Sequence, residues 1–407
     1  MDVTSTVSVM SLNMSDATWS DINSTDPQFQ DMLFTSQLDM ELRYSPEKVY
    51  VDRYVTPIIY AIGFPGNIVS FIVWIQRRMR HSSGCYLAAL ALDDLIFLVL
   101  HVMFEMHTVW HIPTLDVPGL CEIYPVFYIA TQYLSPLLVL GFTVERYISI
   151  CHPFKREKFC TTRRAKIVIA FLATLSLCMS SIQGYFYQYN TNVSECDLRQ
   201  EVSQGGAINF FVVWNMCIEM FVFLLVPLNV LLLNVLVIRE MRKLSRVETH
   251  KLHGKQQRTS ATTVMLLAVS FYQIVTTLPV TIVYALYFVF PTGEPTVRDS
   301  MMLRDPTWRR YFTYMFVQIV IKEYGTTHYA INILIYLITG KMFRNELKKL
   351  LCNNACAKLV MKVPKTEYSS LRSTQRTSLR GTSQWVSVNG NTDKDKGNGG
   401  AGQETNV

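Results

Sequence analysis

Polar and ionisable side chains interrupt several apolar stretches of this 407-residue sequence. Asp94 lies in the middle of one stretch, and Asn67 and Asn332 lie in the middle of two others. An ionisable group inside a membrane is costly and is therefore a functional hypothesis by default. Together with the hydroxyl of Ser135, these oxygen-rich groups could hold water, a proton or a small cation such as sodium. The alternative is a structural hydrogen-bond network between helices.

A second set of polar residues lies nearer one end of the same stretches. Glu105 follows Asp94 by eleven residues, about three helical turns, so both side chains point the same way. Tyr128 and Gln132 are four residues apart and share a helix face. These residues predict a polar cavity open at one end, and the alternative is that Lys322 only pairs with a glutamate. The candidate ligand-binding residues are Glu105, Tyr128, Gln132, Glu219, Lys322 and Glu323.

Seven apolar runs must position these side chains. Half of the residues are hydrophobic and only 17% are charged, which is unusual for a soluble protein. The charges are clumped, so the runs between them are long enough to cross the roughly 30 Å core of a bilayer. The fold class is therefore predicted as an all-α membrane protein, a seven-transmembrane helix bundle. The runs cover residues 55–75, 85–104, 121–144, 167–189, 207–238, 261–290 and 311–339.

The distribution of basic residues predicts the orientation in the membrane. Lys and Arg crowd the connections after the first, third and fifth runs, which places the N-terminus outside. The predicted regions are a disordered extracellular tail (1–50), the seven-span domain (51–340), an amphipathic interfacial helix (341–356) and a disordered cytoplasmic tail (357–407). Asn13, Asn23 and Asn192 begin glycosylation triplets. Cys352 and Cys356 are candidates for palmitoylation or are plain reduced thiols.

The sequence also bears on two classes of function, enzymes and transport proteins. The sequence has no metal-site spacing of His and Cys, no nucleophile motif and no phosphate-binding loop, so no enzyme is predicted. A seven-span transporter or channel is the alternative, although no second half of the chain echoes the first, as an inverted repeat would. No nucleic acid is expected as a partner.

Short motifs follow one another in a fixed order along the seven runs. These motifs are Gly66-Asn67, Leu90-Ala91-Leu92-Asp93-Asp94, Glu145-Arg146-Tyr147, Pro227, Pro279 and Asn332-Ile333-Leu334-Ile335-Tyr336. Over roughly residues 50–352 this order resembles the rhodopsin-like (class A) G-protein-coupled receptors. Two of the departures are Thr276-Thr277-Leu278-Pro279 in place of the usual Cys-Trp-x-Pro, and Ile333 in place of a proline.

The resemblance implies roles for named residues. It implies a disulfide between Cys121 and Cys196, and a pairing of Glu145 with Arg146 at rest. A sodium ion, the sole candidate cofactor, would bind at Asp94, Ser135 and Asn332. A heterotrimeric G protein would be contacted through Glu145, Arg146, Tyr147 and Tyr336.

The same resemblance narrows the ligand and the partners. Tyr128 stands where amine receptors carry an aspartate, and Thr326 stands where opsins carry the retinal lysine, so neither an amine nor retinal is expected. The glycosylatable termini, the polar cavity and the carboxylates of Glu105, Glu219 and Glu323 favour a peptide, in particular one that carries an arginine. Glu105 is expected to bind that positive charge. Residues 151–166 are similar to invertebrate FMRFamide-type neuropeptide receptors. The implied location is the plasma membrane, in contact with lipids, with arrestin as a further partner. Thr405-Asn406-Val407 resembles a ligand of PDZ domains.

Overall fold

A computed structural model describes residues 42–191, 194–203, 209–248, 256–291, 293 and 299–362. The predicted glycosylation sites Asn13, Asn23 and Asn192 and the C-terminal triplet 405–407 lie outside these residues. The chain divides into one unit up to Leu347 and a second unit from Lys348 onward. The second unit is described only for residues 348–362, which continue a helix that begins at Lys341.

Seven spans form the first unit. Six of them contain helices long and apolar enough to cross a membrane, and the seventh is interrupted. Span 1 begins at Pro46, so residues 46–50, which were predicted as tail, are helical. The spans are Pro46–Trp74, Ser82–Thr108, Leu120–Cys151, Thr162–Ser180, Phe210–Met220 with Val226–Glu248, Gln256–Ala285, and Pro306–Thr326 with His328–Thr339.

Shorter elements connect the spans. Antiparallel strands β1 (Tyr187–Asn190) and β2 (Glu195–Leu198) form a hairpin between spans 4 and 5. The fourth apolar run therefore does not continue as a helix to residue 189, because its last three residues pair with β2. The remaining helices are Pro153–Phe159, Gln183–Phe186, Gln200–Ser203, Asp299–Met302 and Lys341–Lys362, with a 3₁₀ turn at Leu286–Val289.

Span 3 is the central element of the bundle. It contacts spans 2, 4, 5 and 6, and 72% of its most apolar segment is buried, against 17% for span 4. Its first turn carries Cys121, and Arg146 lies 25 residues later, about 37 Å along a helix. We call these two ends of the bundle the disulfide end and the arginine end.

The prolines inside the spans are accommodated in different ways. Span 3 is one helix through both Pro125 and Pro136, although a proline removes a backbone hydrogen bond and invites a kink. In span 5, a π-helical turn over Phe221–Leu225 precedes Pro227. Pro227 has no N–H to offer the carbonyl of Phe223, and the hydroxyl of Thr281 in span 6 donates to that carbonyl at 3.0 Å instead. The freed backbone acceptor thus links spans 5 and 6.

Span 7 changes from one helix to the next at Thr327. Just before this point, Gly325 lies so close to span 6 that an added Cβ would come within 2.5 Å of Val280. A larger residue would therefore force the two spans apart. The ring Nδ1 of His328 lies 2.6 Å from the carbonyl oxygen of Gly325 and satisfies that acceptor at the join.

Candidate functional site

The β-hairpin is fastened to the disulfide end by covalent and polar contacts. Cys121 in span 3 and Cys196 in β2 form a disulfide. Asp116 Oδ1 accepts a hydrogen bond from the backbone N–H of Cys196 at 2.8 Å. Glu122 Oε1 accepts one from the N–H of Tyr189 at 3.2 Å. These contacts fix the hairpin beside the first turn of span 3.

Glu122 has a second role at the start of span 3. Its Oε2 accepts a hydrogen bond from the backbone N–H of Gly119 at 2.8 Å. Gly119 has φ 82°, a left-handed conformation that favours glycine. The same carboxylate therefore caps the helix and holds the hairpin.

A cavity lies between spans 2, 3, 5, 6 and 7. Four of the six predicted ligand-binding residues line it: Tyr128, Gln132, Glu219 and Lys322. The other two, Glu105 and Glu323, are buried but are not among the lining residues. The predicted polar cavity therefore has a counterpart in the structure, with a smaller set of wall residues.

The position of the cavity along the bundle follows from span 3. Tyr128 comes seven residues after Cys121, about 10 Å along a helix, and eighteen residues before Arg146, about 27 Å. The cavity thus lies nearer the disulfide end.

Stacked aromatic rings connect three of the spans around this cavity. Phe97 stacks on Tyr329 with ring centroids 3.7 Å apart and on Tyr128 with centroids 5.8 Å apart. Phe104 and Tyr124 stack on Tyr128 at 5.3 Å and 5.5 Å. Offset stacking of this kind adds to the burial of large rings. Spans 2, 3 and 7 therefore share one aromatic core beside the cavity.

Lys322 forms ion pairs with two carboxylates. Its Nζ lies 3.3 Å from Glu105 Oε1 in span 2 and 3.6 Å from Asp52 Oδ1 in span 1. All three side chains are largely buried, so solvent screens these attractions little. The structure therefore contains the pairing of Lys322 with a glutamate that the sequence offered as the alternative, and that glutamate is Glu105. Lys322 still reaches the cavity wall, but Glu105 has an internal counter-cation.

His101 extends this charged cluster toward span 1. Its Nε2 lies 3.8 Å from Glu105 Oε1, and its Nδ1 is 2.5 Å from the hydroxyl of Tyr60. Sequence analysis missed His101, although it lies four residues before Glu105 and four after Phe97. That spacing places Phe97, His101 and Glu105 on one face of span 2 and could have identified them together.

Other cavity residues had no signal in the sequence. His328 and Tyr329 line the cavity because span 7 restarts at His328. Thr281 lines it beside the carbonyl left open by Pro227. Both positions depend on local departures from a regular helix, which change the direction of a side chain in a way that the order of polar and apolar residues does not reveal.

The three predicted sodium-binding residues do not share one hydrogen-bond network: Asn332 contacts Asp94, but Ser135 contacts Gln273. Asn332 Nδ2 donates to Asp94 Oδ2 at 2.8 Å. Ser135 instead accepts a hydrogen bond from Gln273 Nε2 at 3.3 Å, and Asn67 donates to the carbonyl of Tyr329 at 2.7 Å. Asp94 Oδ1 is buried and has no hydrogen-bond partner among the described residues. A buried carboxylate oxygen of this kind fits a small cation.

At the arginine end, Glu145 is bound by hydroxyl groups. The hydroxyls of Ser82 and Ser83, at the start of span 2, donate to Glu145 Oε1 at 2.5 Å and 3.2 Å. No ion pair joins Glu145 to Arg146 within the described residues, which corrects the expected resting pair. The physical reason is that successive residues on a helix point about 100° apart, so a partner on another helix competes better.

The other predicted coupling residues, Tyr147 and Tyr336, differ in their exposure. The ring of Tyr147 packs edge-on against His152, with centroids 5.6 Å apart. Tyr336 in span 7 is fully buried between Trp74 and Phe343, whose ring centroids lie 5.5 Å and 5.3 Å from that of Tyr336. Arg146 and Tyr147 are partly exposed, whereas Tyr336 is reachable only if this aromatic group rearranges.

Two connecting loops surround the Glu145–Arg146 segment. Burial lowers the pKa of His81, and the positive charge of Arg146 lowers it further, against a hydrogen bond to the Met79 carbonyl. Burial raises the pKa of the Cys160 thiol, and the negative charge of Glu145 adds to this effect. Cys160 Sγ also donates to the Glu145 carbonyl at 3.6 Å. Both loops therefore lie within electrostatic reach of the segment.

Comparison with known proteins identifies the family. The model of the 7 transmembrane receptor (rhodopsin family) matches residues 66–320. Neuromedin-U receptor 2 of Homo sapiens is 30% identical over 181 residues, 42% of this chain and 43% of that receptor. Neuromedin-U receptor 2 of Rattus norvegicus is 32% identical over 143 residues, 34% of this chain and 36% of that receptor. The thyrotropin-releasing hormone receptor of Mus musculus is 34% identical over 163 residues, 37% of this chain and 38% of that receptor.

These alignments cover well under half of each relative's length. The family match, in contrast, extends over more than half of the 407 residues. The family consists of multi-pass membrane receptors, which are not enzymes. The chain belongs to the rhodopsin family of seven-transmembrane receptors.

Proposed function

We propose that this chain is a receptor for a peptide, which binds in the cavity and promotes activation of a heterotrimeric G protein at the arginine end. The observation that carries the proposal is the cavity itself. It lies toward the disulfide end, is lined by Tyr128, Gln132, Glu219 and Lys322, and is separated from Arg146 by most of span 3. Ligand and effector would therefore bind at different places on one helix.

The relatives support a peptide ligand. Those reported above are receptors named for neuromedin-U and thyrotropin-releasing hormone, which are ligands of the neuropeptide type. The finer resemblance to FMRFamide-type receptors stays a prediction.

The proposed orientation puts the disulfide end outside the cell, at the plasma membrane. The connections at the arginine end carry Arg77, Arg78, Arg80, Lys155 and Lys158, as the positive-inside rule expects of a cytoplasmic face. Signalling is then a population shift: a peptide that binds the active state more tightly raises G-protein affinity, and bound G protein raises peptide affinity equally.

The test is a screen of a neuropeptide library on cells that express the receptor, with calcium and cAMP readouts. A peptide that is active there should accelerate nucleotide exchange on a purified G protein in the presence of the purified receptor. Ion or solute flux without nucleotide exchange would favour the transporter or channel instead.

We also propose that Asp94 would hold a sodium ion, with Ser135 and Asn332 as further oxygen ligands. Such an ion would place a positive charge beside the buried carboxylate in the resting state. Replacing choline chloride by sodium chloride should then lower agonist affinity in the unchanged receptor but not in Asp94→Asn. Equal sodium sensitivity of the two would reject this site.

Other predicted partners and modifications stay predictions. Arrestin, the PDZ-domain partner and glycosylation at Asn13, Asn23 and Asn192 concern residues or interactions that the structure does not describe. Cys352 is exposed on the helix that also carries Cys356, which is compatible with palmitoylation of both or with free thiols.

A further inference from the structure

We propose that the cavity binds a positively charged group of its ligand, a guanidinium or an ammonium, at Glu219, and that Glu105 is not the residue that binds it. This proposal rests on the proposed receptor function and names the chemistry that the cavity recognises.

Glu219 is a buried carboxylate at the cavity wall. It lies at the end of the first helix of span 5, one residue before Met220 and the π-helical turn, and only 7% of the residue is exposed. Its side chain lines the cavity. A ligand in the cavity would therefore meet this carboxylate directly.

Glu219 has no internal counter-cation in the described part of the chain. Among those residues, none forms a hydrogen bond or an ion pair with its carboxylate. Taking a carboxylate out of water without a partner costs several kcal/mol, and a bound cation offsets that cost. The cavity is thus incomplete at this wall in a way that a cationic group completes.

Glu105, which does not line the cavity, already has a counter-cation in Lys322. Glu105 Oε1 lies 3.3 Å from Lys322 Nζ, and the lysine also pairs with Asp52. A ligand cation that approached Glu105 would meet the ammonium of Lys322 as a like charge at short range, which is unfavourable. Glu105 and Glu219 therefore differ in one respect: Glu105 is paired with Lys322, and Glu219 has no counter-cation among the described residues.

The remaining wall also suits a cation. Five aromatic side chains line the cavity: Phe97, Tyr128, Phe223, Tyr284 and Tyr329. Aromatic rings attract Arg and Lys cations through their negative faces, most strongly where water is excluded. An arginine side chain, a lysine side chain or the amino terminus of a peptide could supply the charge.

The test uses small probes on the purified receptor and needs neither an agonist nor a G protein. Thermal unfolding is measured with increasing concentrations of argininamide, with the uncharged analogue N-acetyl-citrullinamide as the matched control. N-acetyl-argininamide, which keeps only the guanidinium, and leucinamide, which keeps only the α-amine, separate the two sources of charge.

Argininamide is expected to stabilise the unchanged receptor at lower concentration than N-acetyl-citrullinamide. Loss of a hydrogen bond to a charged group, about 1.5–3 kcal/mol, corresponds to an affinity loss of about tenfold to a hundredfold. Glu219→Gln should therefore raise the half-stabilising concentration of argininamide by about tenfold or more. Glu105→Gln should change it by less than about twofold, which is below the effect of one such contact.

A second measurement controls for folding of the variants. Without a probe, Glu219→Gln should unfold at a higher temperature than the unchanged receptor because it removes a buried carboxylate that has no partner among the described residues, whereas Glu105→Gln should unfold at a lower one. Equal stabilisation by argininamide and N-acetyl-citrullinamide, no stabilisation by either, or a larger loss in Glu105→Gln would overturn the proposal. Each of these outcomes leaves the receptor function to be decided by the nucleotide-exchange assay.

Discussion

The disulfide end and the arginine end each bury a glutamate, but the two glutamates are held differently. Glu105 meets Lys322, a residue 217 positions away in the sequence, at 3.3 Å. Glu145 is adjacent to Arg146 and yet accepts hydrogen bonds from Ser82 and Ser83. Adjacency along a helix therefore did not produce a contact, whereas the folding of two distant spans did.

The difference bears on what each end can do. A buried ion pair is strongly coupled, because removing one partner leaves an uncompensated charge. A carboxylate held by neutral hydroxyls can exchange those bonds for others at a cost of about 1.5–3 kcal/mol. The disulfide end is thus built to keep its arrangement, and the arginine end is built so that its arrangement can change.

The largest effect is expected at Arg146. Arg146→Ala should abolish ligand-stimulated nucleotide exchange and leave surface expression unchanged, because the proposed effector contact is lost while the bundle contacts remain. Arg310→Ala, which removes an exposed arginine at the start of span 7, is the matched control and should signal normally. Normal signalling by Arg146→Ala would remove the effector role from the arginine end.

The ion pair at the disulfide end is the next largest effect. Lys322→Met should lower the free energy of unfolding by about 3–5 kcal/mol, because Glu105 and Asp52 lose their common cation. The double variant Lys322→Met/Glu105→Leu should recover most of this loss, since one of the unpaired charges is removed with the cation. Thermal unfolding of the purified receptor measures both.

Lys341→Met, an exposed lysine outside the cluster, is the control for this series. If Lys322→Met unfolded at the same temperature as the unchanged receptor, the ion pairs would contribute nothing, and the contrast between the two ends would fail.

The hydroxyl contacts at the arginine end should have a smaller and different effect. Ser82→Ala/Ser83→Ala leaves Glu145 without its hydrogen-bond donors, which amounts to about 1.5–3 kcal/mol of lost stabilisation of the resting arrangement. Basal nucleotide exchange should therefore rise while the maximal response to agonist stays the same. Ser181→Ala, which removes an exposed hydroxyl that donates to the Cys178 carbonyl, should leave basal exchange unchanged. An unchanged basal rate in the double variant would mean that Glu145 does not restrain the arginine end.

The sequence predicted the fold through seven apolar runs, because burial in a membrane requires long helices whatever their detailed contacts. It did not predict the break at Thr327, although Lys322, Glu323 and His328 interrupt the seventh run there. Nor could it place Tyr187–Asn190 in a strand, because those residues continue an uncharged run and their partner strand lies beyond a turn.

The candidate site was predicted less completely, and neighbouring residues show why. Lys322 and Glu323 were both assigned to the cavity, but residues next to each other on a helix point about 100° apart, and only Lys322 lines it. Glu105 was assigned as the partner of a cationic ligand. The sequence could not show that Lys322, in another span, already pairs with it. A sequence pattern predicts the helix face on which a residue lies, but it does not predict which residue of another helix packs against that face.

The smallest effect is a pH dependence at His81, which lies in the loop beside Arg146. Burial and then the charge of Arg146 lower its pKa from the ordinary value of 6.5, so the folded state favours the neutral ring. The unfolded chain therefore binds a proton more readily than the folded one, and stability falls as pH decreases below about 6.5. His81→Asn should show a shallower loss of thermal stability between about pH 7 and pH 5 than the unchanged receptor. His107→Asn, which alters a partly exposed histidine at the disulfide end, is the control. Identical pH profiles for His81→Asn and the unchanged receptor would show that burial and the charge of Arg146 do not lower the pKa of His81 in the folded state.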